Sequence, residues 1–274
     1  ILGIAANKVK LETTNTTRVA NTSPTAASST ADLNGKAVEM ACNSLIERLT
    51  IVASKMASSD EKNISFNDNF VFIGGKKSDI SWNEVVAQAM LERVALTENA
   101  HYATPIIHFD KNKEKGHPFA YHVYGTAITT VTLDCLRGVY EIDSVKIVHD
   151  FGNSMNIGID IGQVEGALAQ GIGWMTLEEI AYNSDGKLLS NALSTYKVPD
   201  IFSSPKTIET IPLEVTGSDL AIQKSKAVGE PPLMYGIGAY FAIQQAVKEF
   251  NPNYKLKFDA PFTPEKVLMS LYEK

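Results

Sequence analysis

The sequence predicts an α+β fold, in which helices and strands mix without a regular strand–helix–strand alternation. Residues 121–148 contain two apolar, β-branched runs separated by Leu136, Arg137 and Gly138, a pattern typical of a β-hairpin. The apolar residues between positions 38 and 52 recur at the spacing of one helical face. Residues 233–250 are apolar enough to form a long, mostly buried helix.

The first half of the chain predicts a strand, a linker, a helix and a second strand–helix pair. The alternation over residues 9–14 predicts a strand, and the polar run 13–30, which contains Pro24, is typical of a linker. Residues 28–32 resemble the start of a helix. Residues 65–75 predict a strand that ends at two glycines, and Ser81 is the expected cap of a helix ending near residue 94.

The second half adds a charged loop, a glycine-containing helix and two strands. The loop is expected over residues 110–116, the helix over 159–179, and the strands over 187–196 and 207–215. A glycine inside a helix costs about 1 kcal/mol relative to alanine. The close approach of another helix or of a ligand is therefore expected along 159–179. A last short helix should begin with Thr263 as its cap and Pro264 at its first position.

The length and composition fit a globular chain of one large domain or two modest ones. The chain has 274 residues, of which 44% are apolar and 20% are charged. We expect two lobes of mixed sheet and helices, approximately residues 1–120 and 121–274. The chain opens on Ile1, which suggests a piece of something longer.

The charge balance argues against nucleic acid as a partner. There are 25 basic and 31 acidic residues, giving a net charge of −6, whereas a duplex-DNA binder needs a basic surplus. No apolar stretch approaches the roughly 18 residues of a membrane span. We therefore expect small-molecule or protein partners, and neither a membrane nor nucleic acid.

Cysteines and histidines do not form a recognisable metal or catalytic motif. Cys42 and Cys135 lie far apart, which excludes a disulfide scaffold, a zinc ribbon and a cysteine-ligated iron–sulfur cluster within this chain. Both are expected to be buried and inert, and their scarcity fits a reducing, cytoplasmic compartment. The five histidines, of which the last is His149, are interpreted as surface or hydrogen-bonded residues.

The run Lys226-Ala-Val-Gly-Glu230-Pro-Pro-Leu places a carboxylate between a glycine and two prolines. The prolines restrict the backbone, and the start of the following helix favours the ionised form of Glu230. An ionised carboxylate in a fixed orientation can act as a general base. The alternative is that Glu230 only caps the helix, and the physics of the sequence alone favours that alternative.

Two further segments could contact a ligand. Gln163 lies among small residues in the run 162–173, where a polar ligand or another helix could approach closely. Ala27, Ser28 and Thr30 precede a helix, so that hydroxyl and backbone N–H groups could hold an anion. The alternatives are a tight helix–helix contact for the first segment and ordinary helix capping for the second.

Taken together, these segments resemble the molybdenum hydroxylase family. The matching runs are residues 21–35, 160–173 with 177–179, 194–199, 226–233 and 263–266, in the same order as in the family. The resemblance spans nearly the whole chain and implies the fold of the C-terminal molybdopterin-binding domain of the xanthine dehydrogenase/aldehyde oxidase type.

The resemblance also implies roles for individual residues. Glu230 matches the catalytic base, which activates the oxygen that attacks an electron-poor ring carbon of the substrate. Gln163 matches the residue near the molybdenum centre and its pterin. Ala27, Ser28 and Thr30 match the positions that hold the phosphate end of the pterin. The metal ligands are supplied by the pterin dithiolene, so no protein ligand to molybdenum is expected.

The same resemblance implies partners and leaves alternatives open. The cofactor is molybdenum–molybdopterin, with iron–sulfur clusters and FAD in domains or chains outside this one. The remaining domains or subunits of the enzyme and a small-molecule substrate are the expected partners, in a homo-oligomer of the full assembly. We favour hydroxylation of a purine. An aldehyde-oxidising member of the family and a non-catalytic assembly fragment of the same fold are the alternatives.

Overall fold

The computed structural model describes residues 1–12, 15–17, 25–26 and 28–273. The chain divides into two compact units, Ile1–Pro105 and Ile106–Lys274. The lobe boundary expected at residue 120 lies inside the second of these units. The predicted linker over residues 13–30 lies largely outside the described residues.

The first unit packs two helices with a three-stranded antiparallel sheet. The helices are α1 (Thr30–Ala57) and α2 (Trp82–Leu91), and the strands are β1 (Ile64–Asn67), β2 (Phe70–Ile73) and β3 (Lys76–Ser81), in the order β1-β2-β3. Its core consists of seven buried apolar residues: Leu49, Val52, Ala53, Ile64, Val71, Val85 and Ala89.

Local signals in the first unit are partly confirmed. Ser81 caps α2 in a reciprocal capping box with Glu84. The strand predicted over 65–75 is instead a hairpin, because Asp68 and Asn69 adopt positive φ angles of 46° and 65° that reverse the chain. The strand predicted over 9–14 is wrong for its described residues: residues 9–12 pair with no strand, and Leu11 is 92% exposed.

The second unit contains a short hairpin, a three-stranded sheet and three helices. The hairpin is β4 (His108–Asp110) with β5 (Lys115–His117), and the sheet is β6 (Gly125–Asp134), β7 (Val139–His149) and β8 (Thr207–Pro212). The helices are α3 (Ile157–Thr176), α4 (Ile237–Phe250) and α5 (Pro264–Leu271). The predicted charged loop 110–116 is thus largely the turn and second strand of the short hairpin.

The sheet contains a strand–helix–strand unit that the sequence analysis missed. Strands β6 and β7 form the predicted antiparallel hairpin, but β8 pairs with β7 in parallel, with α3 between them in the chain. The carboxyl ends of the two parallel strands meet where His149 pairs with Pro212. In sheets of this kind, ligands bind beyond the carboxyl ends of the parallel strands.

Helix α3 packs on the sheet through an apolar core. Buried residues of β7, of α3 and of the segments that follow them form one cluster: Ile142, Val145, Ile147, Phe151, Val164, Leu168, Ile172, Val228 and Ala239. Because Val228 belongs to this cluster, the chain just before Glu230 is fixed to the core.

Two other predictions for the second unit need correction. The long helix expected over 233–250 is divided into a 3₁₀ helix, Pro231–Gly236, and α4. The strand expected over 187–196 does not form, and only an isolated bridge joins Tyr182 to Leu188. The last helix begins as predicted, with the Thr263 hydroxyl accepting from Lys266 N and Pro264 at the first position. Within the described part of the chain, no helix has both the length and the apolar character that a membrane crossing requires.

Candidate functional site

Glu230 lies at the N-terminal end of the 3₁₀ helix Pro231–Gly236. Its side chain is exposed, whereas Val228 and Pro232 on either side are buried. Among the described residues, its carboxylate accepts no hydrogen bond from that helix, so Glu230 occupies the cap position without capping. The long helix expected to follow Glu230 begins only at Ile237, which removes the argument from its dipole.

The backbone before Glu230 is joined to the turn that follows β7. Lys226 N donates to the Phe151 carbonyl oxygen at 2.9 Å, and Asn153 N donates to that of Lys224, also at 2.9 Å. These bonds place residues 224–226 beside the carboxyl end of β7. The residue after β8, Leu213, also donates to the His149 carbonyl oxygen, at 2.7 Å.

A buried ion pair reinforces this connection. The Lys226 ammonium contacts the Asp150 carboxylate, and the two side chains are 9% and 1% exposed. Lys226 Nζ also donates to the His122 carbonyl oxygen at 3.0 Å, and Gly152 N donates to Asp150 Oδ1 at 2.9 Å. A buried carboxylate is tolerated when it is paired and hydrogen-bonded in this way.

His149, the last residue of β7, contacts the segment of the chain that follows Glu230. His149 is fully buried, and its Nδ1 shares a hydrogen bond of 2.6 Å with the Tyr235 hydroxyl. Burial lowers the pKa of His149, although Asp150 and Asp160 raise it, and burial together with Asp150 raises the pKa of Tyr235. No partner of His149 Nε2 occurs within the described residues. Of the two interpretations of His149, the surface position is wrong, whereas the hydrogen-bonded position is found at Nδ1.

Helix α3 crosses the 3₁₀ helix at two glycines. A Cβ atom on Gly171 would lie 2.1 Å from the Leu233 carbonyl oxygen, and one on Gly236 would lie 2.2 Å from the carbonyl carbon of Gly171. The tight helix contact considered for the run 162–173 is therefore real at Gly171. It joins the element that carries Gln163 to the element that follows Glu230.

Replacing Gly171 with alanine is expected to destabilise the fold. The added methyl group would meet backbone atoms that cannot rotate away, so overpacking should outweigh the gain in helix propensity and cost about 2 kcal/mol. Gly162→Ala is the matched control on the same helix, because no described atom lies within 4 Å of the added group apart from its chain neighbours and the helix's own backbone. That variant should gain about 0.5–1 kcal/mol. Urea unfolding of both variants measures the difference, and equal effects would contradict this packing.

The opposite face of α3 is open. Gly162, Gln163, Gly166, Gln170 and Trp174 are all exposed and share one side of the helix by its periodicity. At Gly162 and Gly166, no described atom other than those of the chain neighbours and the helix's own backbone lies within 4 Å of the position a Cβ would take. The helix therefore offers bare backbone and an amide side chain to a ligand or to another part of the protein.

The other predicted ligand-binding positions belong to the first unit. Ser28 and Thr30 are half-buried at the start of α1, where Ser28 has a φ of 54° and the Thr30 hydroxyl donates to that of Thr25 at 2.6 Å. The Ser29 hydroxyl donates to the Ala26 carbonyl oxygen at 2.9 Å and does not cap the helix. Ala27 lies outside the described residues. Ordinary side-chain capping by Ser29 is thus not the arrangement found here.

The described residues contain no group of three or more histidine, cysteine, aspartate or glutamate side chains that could hold a metal ion. Cys42 and Cys135 are both thiols and are half-buried, somewhat more accessible than expected.

Sequence reasoning missed the residues that hold Glu230 in place. The sequence indicated no role for Asp150, His149 was interpreted only as one of five surface or hydrogen-bonded histidines, and Tyr235 lay within a predicted helix. Their partners lie 76 and 86 residues away along the chain. The signal available in the sequence was the presence of Lys226 before Glu230 and of Tyr235 after it. Neither residue type indicates which side chain it contacts.

Comparison with known proteins identifies the family to which the chain is similar. The family described as "Molybdopterin cofactor-binding domain" matches residues 1–205. The chain is 38% identical over 273 residues to a xanthine dehydrogenase/oxidase of Felis catus, covering 97% of this chain and 19% of that protein. The chain therefore spans about a fifth of the length of the curated relatives it matches.

Solved structures show the same fold. The quinoline 2-oxidoreductase of Pseudomonas putida 86 has a TM-score of 0.68 at 23% identity, over 85% of this chain and 28% of that chain. Reconstituted CO dehydrogenase of Oligotropha carboxidovorans has a TM-score of 0.69 at 19% identity, over 90% of this chain and 29% of that chain. The family match over residues 1–205 shows that the chain belongs to the molybdopterin cofactor-binding domain family.

Proposed function

We propose that this chain is the C-terminal part of the cofactor-binding portion of a molybdenum hydroxylase that hydroxylates a purine, xanthine or hypoxanthine, with water as the oxygen source. The observation that carries the proposal is that Glu230 is exposed on a backbone segment that is held in place. Its carboxylate is exposed at the carboxyl edge of the parallel strands, while the chain on both sides of it is fixed to the core. Such a group is positioned to exchange a proton with a bound substrate.

The residues present fit a pterin-bound molybdenum centre. The open backbone face of α3 at Gly162 and Gly166 can accept a flat polar group, and the Gln163 amide can both donate to and accept from it. Ser28 and Thr30, together with the N–H groups at the start of α1, suit its phosphate end. Ala27 is proposed for the same role on the basis of the sequence alone.

In this mechanism the chain positions groups and moves one proton. When bound, the molybdenum–pterin group supplies the oxidising centre and accepts the electrons of the reaction. A Glu230 carboxylate oxygen accepts the proton of the water-derived oxygen that attacks the electron-poor carbon. Because Pro231 and Pro232 restrict the backbone after it, Glu230 keeps one orientation during this transfer.

The rest of the enzyme is needed for a complete site. We propose that the upstream cofactor-binding residues, iron–sulfur clusters and FAD reside in other domains or subunits, and that the full assembly is a cytoplasmic homo-oligomer. The similarity of the chain to a xanthine dehydrogenase/oxidase favours a purine substrate. Aldehyde oxidation is the second candidate, because an aldehyde oxidoreductase of Desulfovibrio gigas shares the fold with a TM-score of 0.58 at 26% identity.

Turnover of the intact enzyme in ¹⁸O-labelled water tests the proposal. Xanthine, hypoxanthine and a set of aldehydes would be compared as substrates, with mass spectrometry of each product. We expect one ¹⁸O atom in the purine product and a higher kcat/KM for purines. A higher kcat/KM for aldehydes would overturn the substrate assignment, and an unlabelled product would overturn water as the oxygen source.

A further inference from the structure

The last residue of β7 and the residue that follows it hold the two sides of the Glu230 segment. Asp150 pairs with Lys226, four positions before Glu230, and His149 bonds to Tyr235, five positions after it. The end of β7 therefore contacts the chain both before and after Glu230. We name this arrangement the two-point clamp and define it by Asp150–Lys226 and His149–Tyr235.

The His149–Tyr235 contact is built into the sheet. Gly125 is the strand partner of His149, and a Cβ atom on Gly125 would lie 1.8 Å from the Tyr235 hydroxyl oxygen. The hydroxyl therefore occupies the space above Gly125. The His149 ring is also packed edge-on against Phe151 and Tyr235, with ring centroids 4.9 and 5.8 Å apart.

The contact is connected to Glu230 through a short, stiff element. Tyr235 belongs to the 3₁₀ helix Pro231–Gly236, and Leu233 N donates to the Glu230 carbonyl oxygen at 3.1 Å. Two prolines begin this helix, and Gly236 at its end is packed on α3. A shift of Tyr235 would therefore move Glu230 with it.

We infer that His149 and Tyr235 are positioning residues that fix Glu230 for proton transfer, and this inference rests on the proposed function. Neither side chain needs to touch the substrate. A misplacement of about 1 Å in a reacting group can cost about 10²-fold in rate. The pair thus contributes to the reaction through the orientation of Glu230.

The test compares two tyrosine variants of the intact enzyme. Tyr235→Phe removes the hydroxyl and leaves the ring. Tyr240→Phe is the matched control, because the Tyr240 hydroxyl also makes a hydrogen bond within the second unit, donating to the Lys257 carbonyl oxygen at 2.7 Å, outside the clamp. Hydrogen exchange of the peptide covering residues 227–237 is measured for both, along with kcat per bound molybdenum and KM.

We expect Tyr235→Phe to speed exchange in this peptide and to lower kcat per molybdenum about 10-fold or more, with little change in KM. Tyr240→Phe should alter neither the exchange rate of this peptide nor kcat per molybdenum. His149→Asn, which keeps a polar group near the position of Nδ1, should retain more activity than His149→Phe.

The outcomes distinguish a failure of the two-point clamp from a failure of the proposed function. Unchanged exchange in Tyr235→Phe would overturn the clamp, whatever the activity. Faster exchange with unchanged kcat per molybdenum would overturn the positioning role. Faster exchange in an enzyme that keeps full activity after Glu230→Gln would contradict the proposed function while leaving the clamp supported.

Discussion

Glu230→Gln in the intact enzyme is expected to lower kcat by about 10³-fold, because general-base catalysis contributes about 10²–10⁴-fold and an amide cannot accept the proton. The change is nearly isosteric and affects an exposed side chain that caps no helix among the described residues. Folding, molybdenum content and KM should therefore stay close to those of the wild type. Steady-state kinetics normalised to molybdenum measure the effect.

The control is another exposed glutamate of the same unit. Glu249 lies on α4, where its carboxylate accepts from Gln245 Nε2 at 2.8 Å, and it is not among the residues proposed for the site. Glu249→Gln should leave kcat unchanged. Near-normal turnover of Glu230→Gln would contradict the base assignment and favour the view that this chain has only a structural role.

Lys226→Met is expected to cost about 3–5 kcal/mol of unfolding free energy, because it leaves the buried Asp150 carboxylate without its counter-charge. Methionine has nearly the length of lysine, so packing changes little. The double variant Asp150→Asn with Lys226→Met should recover much of the loss. Its amide carries no charge and can still accept from Gly152 N. Denaturant titrations of the chain measure both values.

An exposed lysine provides the comparison. Lys206 Nζ lies 2.6 Å from Glu141 and 2.8 Å from Asp143, with about half of its side chain exposed. Solvent screens such pairs, so Lys206→Met should change stability little. If Lys226→Met were no more destabilising than Lys206→Met, the buried pair would not stabilise this edge of the sheet.

Local signals in the sequence predicted the elements whose ends depend on neighbouring residues. Ser81 with Glu84, and Thr263 with Pro264, begin helices as expected because capping requires only a few adjacent residues. The hairpin of β6 and β7 forms for the same reason, since its strands are separated by a short turn.

Features that depend on distant partners could not be predicted in this way. The parallel pairing of β8 with β7 follows only after α3 and a long irregular stretch. Residues 187–196 carry a strand-like pattern, but within the described part of the chain only the bridge between Tyr182 and Leu188 pairs with them. The break before α4 is linked to the contact of Gly236 with Gly171, which the sequence does not reveal.

The candidate site shows the same difference between what local sequence indicates and what depends on distant partners. The resemblance to the molybdenum hydroxylases pointed to Glu230 and Gln163, and their roles stay predictions. The residues that fix Glu230 are recognisable only once the sheet has placed His149 and Asp150 beside Tyr235 and Lys226. The expected link between Glu230 and a long helix was wrong, because a 3₁₀ helix intervenes.

The most direct measurement of the central claim is the molybdenum and pterin content of the purified chain, alone and co-produced with the upstream cofactor-binding portion. A host that makes the pterin would be used, with a second molybdenum enzyme as a loading control. We predict stoichiometric molybdenum and pterin in the combined sample and little in the chain alone. Absence of both from the combined sample, with the control enzyme loaded, would contradict the claim that this chain forms part of a molybdopterin site.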